Sequence, residues 1–222
     1  MIGDGETIAV GLSGGKDSIA LLSALTNLRG YYPKRFELCA VTLDMGFGGM
    51  EFAPVEKLCA QLGVPYVKRQ SELARIVFEE RKEKNPCALC AKMRRGMLND
   101  IIIELGTRKI ALAHNFDDAV ETFMLSMLYE GRISCFQPVT YMSRTDVTQI
   151  RPMLYVGEGT VKKYVEKLGL PVVRNICPMN GSSKREEVKT LLKTLSADYP
   201  DLKSKVFGAM QRLPISGWGI DC

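Results

Sequence analysis

No apolar run in the 222-residue sequence approaches the ~18 residues that a membrane-spanning helix needs, which excludes an integral helical membrane protein. The N-terminus has neither a charged n-region nor an apolar h-region, so no secretory signal is read there and the expected compartment is the cytoplasm. Internal repeats and low-complexity segments are lacking as well. The length then suits one domain, or one domain with a small extension. Two familiar phosphate-loop patterns are missing. There is no G-x-G-x-x-G, and only three residues separate Gly11 from Gly15 where a Walker A loop has four, with Lys16 followed by Asp17 rather than Ser or Thr. No second cysteine pair accompanies Cys87-Ala88-Leu89-Cys90, which excludes a zinc knuckle, and the context of a thioredoxin-like redox pair is absent. Histidine occurs once, as His114.

What is present is ordinary in bulk, with 46% hydrophobic and 25% charged residues, as in globular proteins generally. The net charge of +5 is compatible with a nucleic-acid partner without requiring one. Seven cysteines in a reducing compartment point to metal ligation, reactivity or core packing rather than to disulfides. Arg81, Lys82, Lys84, Lys92, Arg94 and Arg95 bracket the cysteine pair, and Lys184, Arg185 and Lys189 form a later basic cluster; a charge run of this kind is also simply a solvated face.

The chain is organised around Val10-Gly11-Leu12-Ser13-Gly14-Gly15-Lys16-Asp17-Ser18. An apolar strand, Thr7 to Val10, precedes it, and a helix with apolar positions 21, 22, 24, 25 and 28 follows, with Ser13 or Asp17 expected to cap it. Adjacent glycines between strand and helix allow positive φ and close approach of backbone amides, and a helix N-terminus favours an anion, most often phosphate. Apolar strands are then expected at Phe36–Leu43, Val64–Val67, Lys109–Ala113 and Gln149–Met153. Helices are expected around Phe52–Leu62, Ser71–Lys84, 91–105, Phe116–Leu128 and Glu158–Leu168, with a Ser183/Glu186 capping box opening another and Pro200 a last one ending near Leu213. Gly131–Tyr141 has no periodicity and reads as a substrate-facing loop; the tail from Pro214 has no readable structure. Alternation of this kind predicts an α/β fold with a parallel, doubly wound sheet and ligands beyond the carboxyl ends of its strands, where the glycine loop and Asp44 would lie.

Asp117 and Asp118 sit at a strand-to-helix junction on that same edge. Asp in a first helical turn often does no more than offset the dipole. A triphosphate, however, needs Mg²⁺, which takes one or two carboxylates plus phosphate oxygens, and Asp17 with Asp118 is the expected pair. On the helix patterned by Phe116, Ala119, Val120, Phe123, Met124, Met127 and Leu128, the residues Asp117, Asp118 and Glu121 fall outside the apolar face. His114, just before the junction, is open to a structural or a catalytic role. The Cys87-x-x-Cys90 pair remains an iron–sulfur or persulfide site, with Cys177 the only other cysteine in an irregular Pro-containing loop. Cys39 and Cys59 read as core, and Cys135 and Cys222 have no assignment. Lys92, Arg94 and Arg95, in the first turns of their helix, oppose the macrodipole, a penalty that a polyanion or an anionic cluster nearby would offset.

Together these segments resemble one family of PP-loop ATPases, the tRNA 2-thiocytidine synthetases. The likeness rests on Ser13-Gly14-Gly15-Lys16-Asp17-Ser18, on Pro86-Cys87-Ala88-Leu89-Cys90 with Met93-Arg94-Arg95-Gly96, and on Ala113-His114-Asn115-Phe116-Asp117-Asp118. Gly131-Arg132, Ile150-Arg151-Pro152 and Ala209-Met210-Gln211 extend it along the chain. The resemblance implies an adenine-nucleotide α-hydrolase-type sheet in a PP-loop domain over residues 1–175, with a short helical C-terminal extension over 176–222. It implies an AMP-forming tRNA sulfurtransferase in which ATP adenylates the C2 oxygen of a cytidine and sulfur displaces AMP. Implied cofactors are ATP, Mg²⁺ and a [4Fe-4S] cluster on Cys87, Cys90 and Cys177. Implied partners are tRNA, met by Lys92, Arg94 and Arg95, and a sulfur donor, either a cysteine desulfurase or sulfide; a homodimer is compatible with the sequence. Lys16, Asp17, Asp118 and His114 are the expected catalytic residues, and Ser13, Gly14, Gly15, Asp17, Ser18, Asp44 and His114 the expected nucleotide contacts. The alternatives are a PP-loop thiolation enzyme for another tRNA nucleoside or a small molecule, and a non-catalytic nucleotide-binding iron–sulfur sensor.

Overall fold

A computed structural model of the chain describes residues 1–82, 85–181 and 183–212, so Lys84, Leu213, Cys222 and the tail lie outside the described residues. The first half winds as β1 (Glu6–Gly11), α1 (Lys16–Arg29), β2 (Phe36–Asp44), α2 (Ala53–Gln61), β3 (Tyr66–Gln70) and α3 (Pro86–Glu104). The second half continues as β4 (Lys109–Ala111), α4 (Phe116–Leu125), β5 (Val139–Met142), β6 (Val147–Ile150), α5 (Glu158–Leu168), α6 (Lys184–Asp198) and α7 (Leu202–Arg212). The strands form one sheet in the order β3-β2-β1-β4-β6-β5. Five are parallel, and β5 runs antiparallel against β6 at the edge. The sheet is therefore doubly wound but not wholly parallel. Strand β5 lies partly within the expected 131–141 loop, where the short Thr145-Asp146 turn folds it back onto β6.

Strand alternation divides the core between the two faces. Ile8 and Val10 of β1 pack with α1, α2 and α5, through residues such as Leu22, Val55 and Val161. Ala9, Val41 and Ile110 point the other way, onto Leu98, Ile101 and Ile102 of α3 and Val77. A third cluster joins Val120 and Phe123 of α4 to Val188 and Leu192 of α6 and Phe207 and Met210 of α7, so the C-terminal helices pack on the helix that follows β4.

Several local expectations are corrected. Helix α3 begins at Pro86, with Asn85 as its N-cap, so both cysteines sit in its first turns and Lys92, Arg94 and Arg95 lie deeper, where the dipole penalty has faded. Neither Ser13 nor Asp17 caps α1; Gly15 is the N-cap and has no side-chain bond. Ser183 is the N-cap of α6 but makes no side-chain capping bond, so the Ser183/Glu186 box is not formed. The helix expected over Ser71–Lys84 is present over 73–80, and most of it, Arg75–Glu80, is π-helical. The helix after β4 also turns π-helical at Ser126–Glu130. That change of period rotates Met127 and Leu128 out of the apolar stripe, to 41% and 50% exposure. Glu121 does the opposite: α6 covers it, and it is only 4% exposed.

Candidate active site

Beyond the carboxyl ends of β1, β4 and β6 lies a cleft of about 520 Å³. It opens where the strand order reverses between β1 and β4, the switch point at which such sheets bind ligands. Gly11, Ser13, Gly15, Asp17 and Ser18 form one wall, Ala91, Arg94, Arg95 and Leu98 of α3 a second, and His114, Phe136, Arg151 and Arg185 a third.

The glycine loop is closed by its own hydroxyls. Ser13 N–H donates to Ser18 Oγ (3.2 Å), Ser18 Oγ donates to the Gly15 carbonyl (2.9 Å), and Gly15 N–H donates to Ser13 Oγ (3.3 Å). Gly14 has φ +81°, and a Cβ there would meet Val173 Cβ at 2.8 Å, so only glycine suits the position. Val173 N–H donates to the Gly14 carbonyl at 2.9 Å, which straps the segment leading to Cys177 onto the loop.

Asp17 lines the cleft, held by Lys16 Nζ at 2.8 Å and by Asn115 Nδ2 at 3.1 Å. Asn115 and Asp118 form a reciprocal capping box at the start of α4. Burial raises the Asp118 carboxyl above its usual range; the Asn115 N–H and Arg185 oppose that rise, and the neighbouring Asp17 adds to it, so the two carboxylates share one field. Asp117 acts elsewhere. It accepts from the Glu158 N–H (2.7 Å) and pairs with Lys203 (2.5 Å), tying α5 and α7 to α4. Lys16 also reaches Glu158 at 2.9 Å, and Glu158 pairs with Lys189 of α6 at 3.0 Å. Burial would raise Glu158, but the two lysines outweigh it and hold it at about 2. Asp44 ends β2, its carboxylate accepting from Gly46 N–H at 3.1 Å, and is not part of the cleft wall.

His114 lines the cleft against the Phe136 ring (centroids 4.7 Å apart), its Nδ1 buried without a partner. Burial, with Arg151, Arg185, Arg94 and Arg95 around it, drives it down to about 3, so it is a neutral imidazole at physiological pH. Arg185 reaches back from α6 to Asp118 (3.3 Å), Thr122 (3.0 Å) and Glu121 (3.7 Å).

The CxxC pair stands one turn before Arg94. Burial raises both Cys87 and Cys90; the charge of Cys177 raises them further, and Arg94 opposes the rise at Cys90. The three thiols thus share one neighbourhood, although no group of three or more His, Cys, Asp or Glu among the described residues could hold a metal ion. Cys thiolates are the usual ligands of iron–sulfur clusters, and the donor chemistry here suits one. Cys59 is core, and Cys135 is pushed up to about 12 by burial. Lys92 is exposed and outside the cleft wall.

Residues 3–190 match the PP-loop domain family ATP_bind_3. The tRNA-cytidine(32) 2-sulfurtransferase of Syntrophotalea carbinolica is 38% identical over 95% of this chain and 82% of that protein. The protein of the same name from Haemophilus influenzae is 36% identical over 97% of this chain and 70% of its own. The chain belongs to the tRNA-cytidine(32) 2-sulfurtransferase family. Among solved structures it is similar to the U34-tRNA thiolase NcsA from Methanococcus maripaludis with its [4Fe-4S] cluster, with a TM-score of 0.75 and 26% identity over 91% of this chain and 70% of that one. Its fold is the mostly parallel α/β fold of PP-loop proteins, and no helix among the described residues is long and apolar enough to cross a membrane.

Within this member of the sulfurtransferase family, sequence reasoning missed Glu158, Glu121 and Arg185 as neighbours of the site. Arg185 stood in a basic cluster with nothing in its spacing to bring it back to α4. Glu121 carries a pH prediction. Burial raises its carboxyl to about 7, Lys189 and Arg185 opposing and Asp118 adding. A carboxyl raised in the fold binds its proton longer than in the unfolded chain, so stability falls as pH climbs from about 4.5 to about 7 and is level above. Glu121→Gln is therefore expected to be more stable than wild type at pH 8, by roughly 1–3 kcal/mol, and equal to it below pH 4.5. Urea unfolding across pH 4–8 checks this; parallel curves for the two proteins would refute it. The Glu158 ion pairs act in the other direction, present above about 4.5 and lost as pH falls towards about 2.

Proposed function

We propose that this chain uses ATP to adenylate the C2 oxygen of a tRNA cytidine and then replaces that oxygen by sulfur, in the cytoplasm. The observation that carries the reading is the continuous cleft: one cavity joins the glycine loop to the face of α3 that presents Arg94 and Arg95, a turn beyond Cys90. In the first step the C2 oxygen attacks the α-phosphorus, the bond to the β-phosphate oxygen breaks, and pyrophosphate leaves. Ser13, Gly14, Gly15 and Ser18 cradle the departing pyrophosphate. Asp17 and Asp118 would hold Mg²⁺, a share of carboxylates that suits this ion, and the ion would supply positive charge to the phosphates. Lys16, fixed between Asp17 and Glu158, keeps the loop and its first helical turn in place. His114, neutral, offers a hydrogen bond rather than a charge.

In the second step sulfur attacks C2, and the C2–O bond breaks to release AMP. With sulfide as the attacking species, no external reductant is needed; persulfide sulfur from a cysteine desulfurase is the other source, and it needs a thiol as two-electron reductant. Cys87, Cys90 and Cys177, the last in the 176–222 extension, would hold a [4Fe-4S] cluster, which supplies a soft metal site for the incoming sulfur. Lys92, Arg94 and Arg95 face the RNA, and Arg94, half-buried beside Cys90, also balances a negative group there.

Nucleoside mass spectrometry of tRNA from cells with and without the gene tests the reading. The expected result is loss of 2-thiocytidine alone. The likeness to a U34-tRNA thiolase favours a second reading, in which a thiouridine disappears instead. That outcome would move the substrate and keep the chemistry.

A further inference from the structure

At the β6 edge of the cleft stands a residue to which the two steps above assign no role. Arg151 is 6% exposed, yet it is bonded only to neutral acceptors: Nη1 donates to the Gln137 carbonyl (2.5 Å) and Thr140 Oγ1 (3.0 Å), and Nη2 to Gln149 Oε1 (3.3 Å). Its plane is held over the Phe136 ring, 5.0 Å from the centroid. Guanidinium has five N–H donors. Among those left over is Nε–H, buried without a partner. Of the four arginines that line the cleft, Arg185 alone has a carboxylate partner among the described residues. Burial lowers Arg151 to about 10, so it still carries its charge at neutral pH. A buried cation without a counterion is costly, and an anionic ligand would offset the cost. Nη1 uses its two N–H bonds on Gln137 and Thr140 and Nη2 one on Gln149, so one Nη2–H is left for a phosphate oxygen lodged in the cleft that Arg151 lines, while Nε–H is closed off from solvent.

The register sets Arg151 relative to the glycine loop. Val10, Ala111 and Ile150 are paired across β1, β4 and β6, so Gly11 and Arg151 each stand one residue beyond the same row. Two strand spacings, about 10 Å, separate the glycine loop from Arg151. We propose that Arg151 binds the α-phosphate of the nucleotide and retains the adenylated substrate after pyrophosphate has left the loop. The proposal rests on the reading of the glycine loop as a pyrophosphate site. Fixed by three hydrogen bonds and a ring before any ligand arrives, the guanidinium is preorganised for charge on the non-bridging oxygens.

The test is calorimetric titration of the full, anaerobically reconstituted chain with pyrophosphate, with AMP, and with an anticodon stem-loop RNA, each separately. Arg151→Gln is expected to weaken AMP binding about 10–100-fold, the worth of a charge-assisted pair, and to leave pyrophosphate and RNA binding unchanged. Equal losses for AMP and pyrophosphate would make Arg151 a scaffold for the 137–140 loop and overturn the proposal. A loss confined to RNA, with a shallower salt dependence, would assign the phosphate to the RNA backbone and overturn it too. Arg151→Lys keeps the charge without the planar fork that the three hydrogen bonds and the Phe136 ring hold in place, and should Arg151→Gln not fold, a wild-type AMP affinity in Arg151→Lys would also sink the idea. Wild-type protein that binds pyrophosphate but not AMP refutes the role of Arg151 alone, whereas binding of neither refutes the underlying function.

Discussion

Replacing Asp17 by alanine is expected to lower ATP-dependent pyrophosphate release by about 10²–10³-fold, the cost of removing one charge-stabilising group from an active site. The carboxylate lies in the first turn of α1, lines the cleft, and is oriented by Asn115, which also caps α4 beside Asp118. Through that one amide, the strand-to-helix junctions after β1 and β4 are set relative to each other. Without Asp17 the proposed Mg²⁺ site keeps Asp118 alone, and Arg185 is already bonded to that carboxylate. The fold should tolerate the change. The Lys16–Asp17 pair is about 30% exposed and worth about 0–1 kcal/mol, and Lys16 keeps its bond to Glu158. A phosphate-release assay coupled to pyrophosphatase, with the melting temperature measured alongside, separates chemistry from stability. Release within threefold of wild type at an unchanged melting temperature would remove Asp17 from the mechanism.

The parts of the site that could be read from the chain are those whose geometry is local. Ser13 to Ser18 carry their conformation in their own residue types: Gly14 supplies the positive φ, and Ser13 and Ser18 bond to each other within one turn. Asn115 and Asp118 likewise complete each other three residues apart. What escaped was set by packing between distant segments. Glu121 sits three residues after Asp118 on the polar side of a helical wheel, and only the arrival of α6 buries it. Arg185 and Lys189 looked like a solvated run, yet one helix turn brings both onto the carboxylates of α4 and α5. Arg151 was legible as part of a motif, but its burial and missing counterion follow from the β5 hairpin, which the aperiodic 131–141 stretch concealed. The start of α3 was misplaced because a Pro-Cys-x-x-Cys run has little apolar periodicity, whereas Asn85 and Pro86 are strong N-terminal signals.

The second large effect is expected at Cys177. The segment leading to it is fixed at two points: Val173 is bonded to the Gly14 carbonyl, and Ile176 lies against Gly49. Cys177 N–H donates to Asn175 Oδ1 at 3.0 Å, and its carbonyl accepts from Asn180 N–H at 2.9 Å, so the backbone at the thiol is tied before any metal binds. Even outer-shell changes around metal ligands cost ~10–100-fold in affinity, and loss of a thiolate should cost more. Cys177→Ala, reconstituted anaerobically, is therefore expected to hold less than about a tenth of the wild-type iron and to lose the brown absorbance, while binding pyrophosphate as wild type does. Retained pyrophosphate binding shows that the loop and the fold are intact, which makes iron content a direct reading of the ligand. The remaining described thiols are poor substitutes. Cys59 is enclosed in the core between α2 and the sheet, Cys39 is on a strand, and Cys135 donates to the Ala119 carbonyl. A Cys177→Ala protein with full, stable iron would therefore move the third ligand outside all of these thiols. It would also break the physical link between the glycine loop and the sulfur site that the Gly14–Val173 bond provides.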